Sequence, residues 1–495
     1  MDIYRRVKLN IRIPQFSKYA MFTLGHESIQ PQSILRIASG ALCCLVALVL
    51  FLSSRSAGAM PRKRGLPYVG SWTFFTARHR FVTEGIKKLG NIFTFNVLQD
   101  QVIVVAGEEA RQVFFGHKEM NFVEGYKVLL ADSPVLQDIN IKPDAFNDMN
   151  HFNKRLTSMF RRERISAVLP LMFQDLDRFM ERWGTIGTFN PHEDVYNMVF
   201  QLTIRAMSCN EIADDFDVVS KVTQLYWNIE EGSSATTVLL PWLPSKARTL
   251  KKESTTALYL LFKDVYDARF SSDKVHSDAL QVLIDEGDSV NDAIQFMMSS
   301  LFAGIVNTGI MSAWMMLYLL NNPTWKAKAT EEIRSFIAKY AKSGGSLADQ
   351  LAQVPPGVWD EEMPVLDVCL RETIRVIMSG PALRRNFGDD IVINGHKIPR
   401  GAFLAFPMAS AHHDPNIYPD PFKWDPDRYA RNEDKKEHWA YLGWGTGRHP
   451  CSGMRFAKLE VKTILALFLT RYEAEIVDES GSKVSELPSP DRNSR

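Results

Sequence analysis

The segment Trp444-Gly445-Thr446-Gly447-Arg448-His449-Pro450-Cys451-Ser452-Gly453 is a glycine-punctuated loop that presents one thiol directly ahead of a long amphipathic helix. As a thiolate, such a sulfur is a metal ligand, and its charge is stabilised where backbone amides point at it, as at a helix amino terminus. Residues from Gly453 onward supply that terminus. Gly445, Gly447 and Gly453 lack the side chains that would stop the backbone lying flat against a broad planar ligand. Further upstream, Glu372-Thr373-Ile374-Arg375 places a carboxylate and a guanidinium on one face of a helix, where they can pair.

These groups stand in a pattern. The ligand loop resembles the FxxGxRxCxG signature of the cytochrome P-450 family, and Glu372 to Arg375 resembles its ExxR motif. Phe422-Lys423-Trp424-Asp425-Pro426-Asp427-Arg428-Tyr429 resembles the PERF segment of the same family. The resemblance covers Leu66 to about Ile476. It implies a mainly α fold with small β-sheets and a haem b (iron protoporphyrin IX) lying between a long central helix and the cysteine-ligand helix. Cys451 is then the axial ligand of the haem iron. Glu372, Arg375 and Arg428 form a structural cluster that locks the ligand loop. The resemblance also implies donors for the haem propionates. His449 stands where many relatives have arginine, and Arg385 falls ten residues beyond Arg375, with Arg384 as its rival. Lys154 or Arg155 is a further candidate, as is Tyr126 in the loop that roofs the substrate cavity.

The central helix comes from Ala293 to Leu320, a run without a charged residue. It is long enough to span a bilayer, yet Gln295, Ser299, Ser300, Asn307, Thr308 and Ser312 interrupt it, which suits the centre of a large protein better. The family signature here is AGx(D/E)T, against Ala303-Gly304-Ile305-Val306-Asn307-Thr308 in this chain. Val306 replaces the acid and Asn307 the threonine, so the usual proton relay is missing. Asn307 still carries an amide donor, and Thr308 follows about 100° round the helix; these two are the candidate catalytic residues. The implied reaction inserts one atom of O2 into a hydrophobic terpenoid, steroid or other secondary metabolite. Electrons come from NADPH through a cytochrome P-450 reductase, with cytochrome b5 as an optional second donor. An oxygen-independent isomerase or dehydratase and a non-enzymatic haem-binding protein are the alternatives.

The remaining chain must position these residues. With 58 basic and 57 acidic residues in 495, and no long basic run, nothing points to nucleic acid. Five scattered cysteines form no disulfide or zinc pattern. The expected organisation is an amino-terminal extension (1–33), a transmembrane anchor (34–54), a basic, proline-containing linker (55–65), the catalytic domain (66–476) and a disordered tail (477–495). The implied setting is the endoplasmic reticulum membrane, with a single crossing and a cytosolic catalytic domain. A hairpin is expected over 92–105, another turn at Asn394-Gly395, helices through the middle, and a surface connection over 341–358. After Cys451, Ala457, Val461, Ile464, Leu465 and Phe468 make a core-facing stripe, which leaves Arg455, Lys458 and Lys462 to dock an acidic reductase.

Overall fold

The computed structural model describes residues 7–12 and 60–493, apart from 64, 66–69, 99, 130–135, 143–148, 241, 272–273 and 342–343. The apolar stretch 34–54 lies outside the described residues. Helices dominate, and three small sheets border them. The central helix runs Val290–Asn321, started by the Ser289 side chain accepting the Asp292 amide at 3.2 Å and ended before Pro323. Its most apolar stretch is 61% buried, which makes it a core helix. Around it pack the helices Pro191–Met207, Pro364–Ile377 and Met454–Arg471. The last of these, which follows Cys451, is called the proximal helix below.

The largest sheet has the order β2-β3-β9-β6-β4, with β2 Ile92–Val97, β3 Asp100–Val105, β4 Met120–Asn121, β6 Pro381–Asn386 and β9 Phe403–Pro407. The expected hairpin is β2 paired antiparallel with β3, Ile92 opposite Val105. Asn394 and Gly395, both at positive φ, turn β7 (Ile391–Ile393) into β8 (His396–Ile398). The third sheet joins β5 (Ile186–Phe189) and β10 (Tyr472–Val477) through β1 (Val7–Arg12), which runs parallel to both. The amino-terminal extension therefore contributes a strand to the catalytic domain.

Three boundaries move. Thr94 exchanges backbone hydrogen bonds with Pro61 and Lys63, so the domain begins within the expected linker. The stretch 341–358 holds the helix Leu347–Ala352 and the start of Pro356–Glu361, and Trp359 beside it is fully buried between Phe173 and Phe336. Contrary to the disorder expected of 477–495, the Val484 amide donates to the Ile476 carbonyl at 3.0 Å, and Val484 and Leu487 pack on the main core. The Ser379 hydroxyl also reaches the Arg492 carbonyl, at 3.3 Å. Apolar residues within a polar tail give it something to bury.

Candidate active site

The backbone around Cys451 is fixed by its neighbours. Its amide donates to the Trp444 carbonyl at 2.7 Å, and the Arg448 amide donates to the Phe115 carbonyl at 3.0 Å. Gly445 and Gly447 sit at φ of 67° and 62°. A Cβ on Gly447 would lie 2.2 Å from the Phe115 oxygen, and one on Gly445 2.7 Å from the His449 oxygen. Both positions thus require glycine for space as well as conformation. The proximal helix starts at Met454, and the Gly453 amide is hydrogen-bonded to the Cys451 thiol. Burial pushes that thiol's pKa up, and the amide opposes it. Cys209 and Cys369 are buried and inert, with burial pushing Cys209 up to about 12 and Cys369 upward as well. Cys451 alone among the described cysteines opens onto a cavity.

Behind the loop, Glu372 and Arg375 come from the helix Pro364–Ile377, one turn apart. Glu372 Oε1 and Oε2 accept from Arg375 Nη2 and Nε at 2.7 and 2.8 Å, and Arg428 Nε adds a bond at 3.1 Å. Tyr429 and the Asp425 amide also reach the carboxylate. Arg375 Nη1 donates to the His412 carbonyl at 2.6 Å, and the His412 ring Nε2 accepts the Leu442 amide at 2.9 Å. Burial holds the His412 ring neutral, which leaves Nε2 free to accept. His412, which the sequence reading did not single out, is the link through which the charged cluster steadies the chain entering the cysteine loop.

The cavity in front of Cys451 measures about 930 Å3, and its wall is mainly apolar and aromatic. Arg384 lines it, 3% exposed, with its guanidinium over the Phe122 ring at 5.0 Å. Its Nη1 donates to the Leu383 carbonyl, but the buried Nε has no partner, and burial lowers its pKa to about 10. A buried cation in this state is costly without an anion opposite. Arg385 points elsewhere, because neighbours on β6 face opposite ways. It donates to the Gly401 carbonyl at 3.1 Å and approaches Glu124 at 3.4 Å, so of the two candidates the structure places Arg384, and not Arg385, at the cavity wall.

His449 and Tyr126 both line the cavity. Burial, then the charge of Arg384, lowers the His449 pKa, so its neutral ring offers one N–H. Tyr126 is hydrogen-bonded to the Leu383 backbone, and burial raises its pKa. Lys154 is exposed and absent from the wall, to which its helix contributes Phe152, Asn153 and Leu156. Arg155 is committed to Asp288, at 2.6 Å, and to Glu286.

A profile of the family described as Cytochrome P450 matches residues 60–489. The chain belongs to the cytochrome P450 family. It is 32% identical to cytochrome P450 monooxygenase AacuE of Aspergillus aculeatus, over 84% of this chain and 86% of that one. It is 31% identical to cytochrome P450 monooxygenase nsrP of Aspergillus novofumigatus, over 84% and 83%. Among solved structures it shares its fold with the retinoic acid-bound cyanobacterial CYP120A1, with a TM-score of 0.65 and 20% identity, covering 84% of this chain and 92% of that one. Membership makes the protein an oxygen-incorporating oxidoreductase and implies a haem. The cavity fits one, since Arg384, whose buried Nε has no partner, lines it and can donate to a carboxylate there, while the Cys451 thiol opens onto the same cavity.

On this P450's central helix, Ala303 and Asn307, one turn apart, are exposed to the cavity. Thr308 borders it but is 6% exposed. The Val306 carbonyl accepts the Tyr196 hydroxyl at 3.2 Å, and no carboxylate stands on this turn. On the proximal face, Lys462 is 1% exposed, ion-paired with Asp367 at 3.1 Å and donating to the Trp359 carbonyl, while Lys458 lies 3.3 Å from Asp367. These two lysines are spent inside the fold, so of the three expected reductase contacts only Arg455 remains outward-facing.

Proposed function

We propose that this P450 hydroxylates a hydrophobic secondary metabolite, of terpenoid, steroid or related class, in a reaction where Cys451 is the axial ligand of haem b. The supporting observation is the uncovered Cys451 thiol at a helix amino terminus, facing a mainly apolar cavity of about 930 Å3. When bound, the haem supplies reductive activation of dioxygen, its thiolate favouring O–O cleavage. Arg384, with His449 and Tyr126, holds the propionate edge. Asn307 offers an amide N–H at the oxygen side, and the aromatic wall excludes water and orients substrate. Electrons come from NADPH through a reductase, with cytochrome b5 as a second donor.

Residues 34–54 anchor the protein in the endoplasmic reticulum membrane with a single crossing, the catalytic domain lying on the cytosolic side. Product formation that requires both NADPH and O2 in reductase-supplemented microsomes tests the reaction. Val306 and Asn307, in place of the acid and alcohol, favour the second reading, an oxygen-independent isomerase or dehydratase. Turnover of a peroxide substrate without NADPH or O2 would establish it.

A further inference from the structure

The cavity carries a second arginine that the haem does not explain. Arg492, in the carboxy-terminal tail, lines it beside Ser379 and Pro490. Two bonds hold the tail there: the Ser379 hydroxyl donates to the Arg492 carbonyl at 3.3 Å, and the Arg80 amide donates to Asn493 Oδ1 at 2.9 Å. The guanidinium lies over the Phe422 ring at 4.7 Å, and its buried Nε has no hydrogen-bond partner. Burial lowers its pKa, Tyr318 opposes this and Arg375 adds to it, with no carboxylate acting. The rings of His79 and His413, which meet edge to face at 6.3 Å, have their pKa lowered by burial and then by the Arg492 charge. This is not the propionate edge. Arg384 sits with Phe122 and Tyr126, and three residues of extended strand, roughly 10 Å, separate it from Pro381 on the Ser379 side. Along the central helix, Ile310, Met311 and Trp314 carry the wall about 10 Å beyond Asn307, towards Tyr318.

We propose that Arg492 is a specificity residue for an acidic substrate, pairing with a carboxylate at one end of a hydrophobic molecule whose other end reaches the site over Cys451. The proposal rests on the reading of the protein as a hydroxylase of hydrophobic metabolites, and it narrows that class to its acids. The carboxylate supplies the acceptor that Nε lacks and the counter-charge that no described side chain brings to it. The apolar wall between the two ends holds the body of the molecule, so the C–H bond attacked lies about 10 Å or more from the carboxylate. A neutral ester of the same acid keeps the body and loses the charged hydrogen bonds, which leaves the guanidinium desolvated and unpaired.

Two matched pairs of probes test this on the haem-loaded protein at neutral pH: dodecanoic acid against its methyl ester, and abietic acid against its methyl ester. Dissociation constants are read by calorimetry and by the Soret shift. At least one acid should bind wild type about tenfold or more tighter than its ester, and no such preference in either pair overturns the proposal. Arg492→Gln should weaken that acid about tenfold to a hundredfold and change the ester less than about threefold, and Arg492→Lys should restore part of the loss. A folded Arg492→Gln protein that keeps the preference overturns the assignment to Arg492; should the variant fold poorly, the acid and ester comparison in wild type still decides. Haem transfer to apomyoglobin should be the same in Arg492→Gln as in wild type, and faster transfer would make Arg492 a propionate donor and overturn the proposal. Turnover that needs no O2 would overturn the hydroxylase reading while leaving the acid preference in place, so the two failures are distinguishable.

Discussion

Replacing Glu372 with alanine should be among the most damaging single changes in the domain. The carboxylate receives two bonds from Arg375 and one each from Arg428, Tyr429 and the Asp425 amide, and all three charged side chains are 0–2% exposed. Its removal leaves the Arg375 guanidinium buried without its counter-charge and Arg428 with Glu433 alone, a loss of about 3–5 kcal/mol. Against the ~5–15 kcal/mol of a typical domain, that is a fifth or more of the stability. The damage also spreads, because Arg375 carries the His412 carbonyl and His412 carries the Leu442 amide ahead of the ligand loop. Urea denaturation should show the lower midpoint, and haem content per polypeptide should fall with it. The exposed pair Lys339–Glu362 is the control, where truncation should leave the urea midpoint close to that of wild type. A Glu372→Ala protein with full haem content and a comparably small loss would refute the reasoning.

Arg384→Leu should weaken haem retention about tenfold to a hundredfold, the worth of a charged hydrogen bond, whereas Arg385→Leu should change it less than about threefold; haem transfer to apomyoglobin measures both. Asn307→Leu should leave haem content intact and cut product per NADPH by about tenfold, because it removes the exposed polar side chain of this helix face, where Ser300 and Thr308 are 4% and 6% exposed. Glu460, 1% exposed on the proximal helix, makes a pH prediction of definite sign. Its folded pKa is raised well above 4.5, so between those values the unfolded chain has lost the proton that the native chain keeps. Wild type therefore loses up to about 1.4 kcal/mol per pH unit as pH rises through that window, and Glu460→Gln does not. Parallel urea midpoints for the two proteins from pH 5 to 8 would contradict it.

What was legible in the sequence was chemistry tied to spacing. The glycines before Cys451 and the three-residue step from Glu372 to Arg375 each demand one local geometry, and the structure has it. Arg384 and Arg385 could not be separated, because in a strand adjacent residues face opposite ways and one step of register decides which meets the cavity. Lys462 was expected on the outer, reductase-docking face, and Glu460 was not singled out, although it follows Ala457 by three residues and therefore lies on the apolar stripe itself, a signal that could have exposed it. The helix at Leu347–Ala352 was hidden by its glycine-rich approach, yet Ser346 and Asp349 form a capping box with the sequence spacing of one. The order of the tail depends on Val484 and Leu487 meeting a core assembled from distant segments, which no local pattern announces.

The reduced, carbon monoxide-bound absorption spectrum tests the central claim most directly. Thiolate ligation by Cys451 predicts a strongly red-shifted Soret band in wild type and its loss in a folded Cys451→Ala protein. A wild type without that band, or a Cys451→Ala protein that keeps it, would contradict the account.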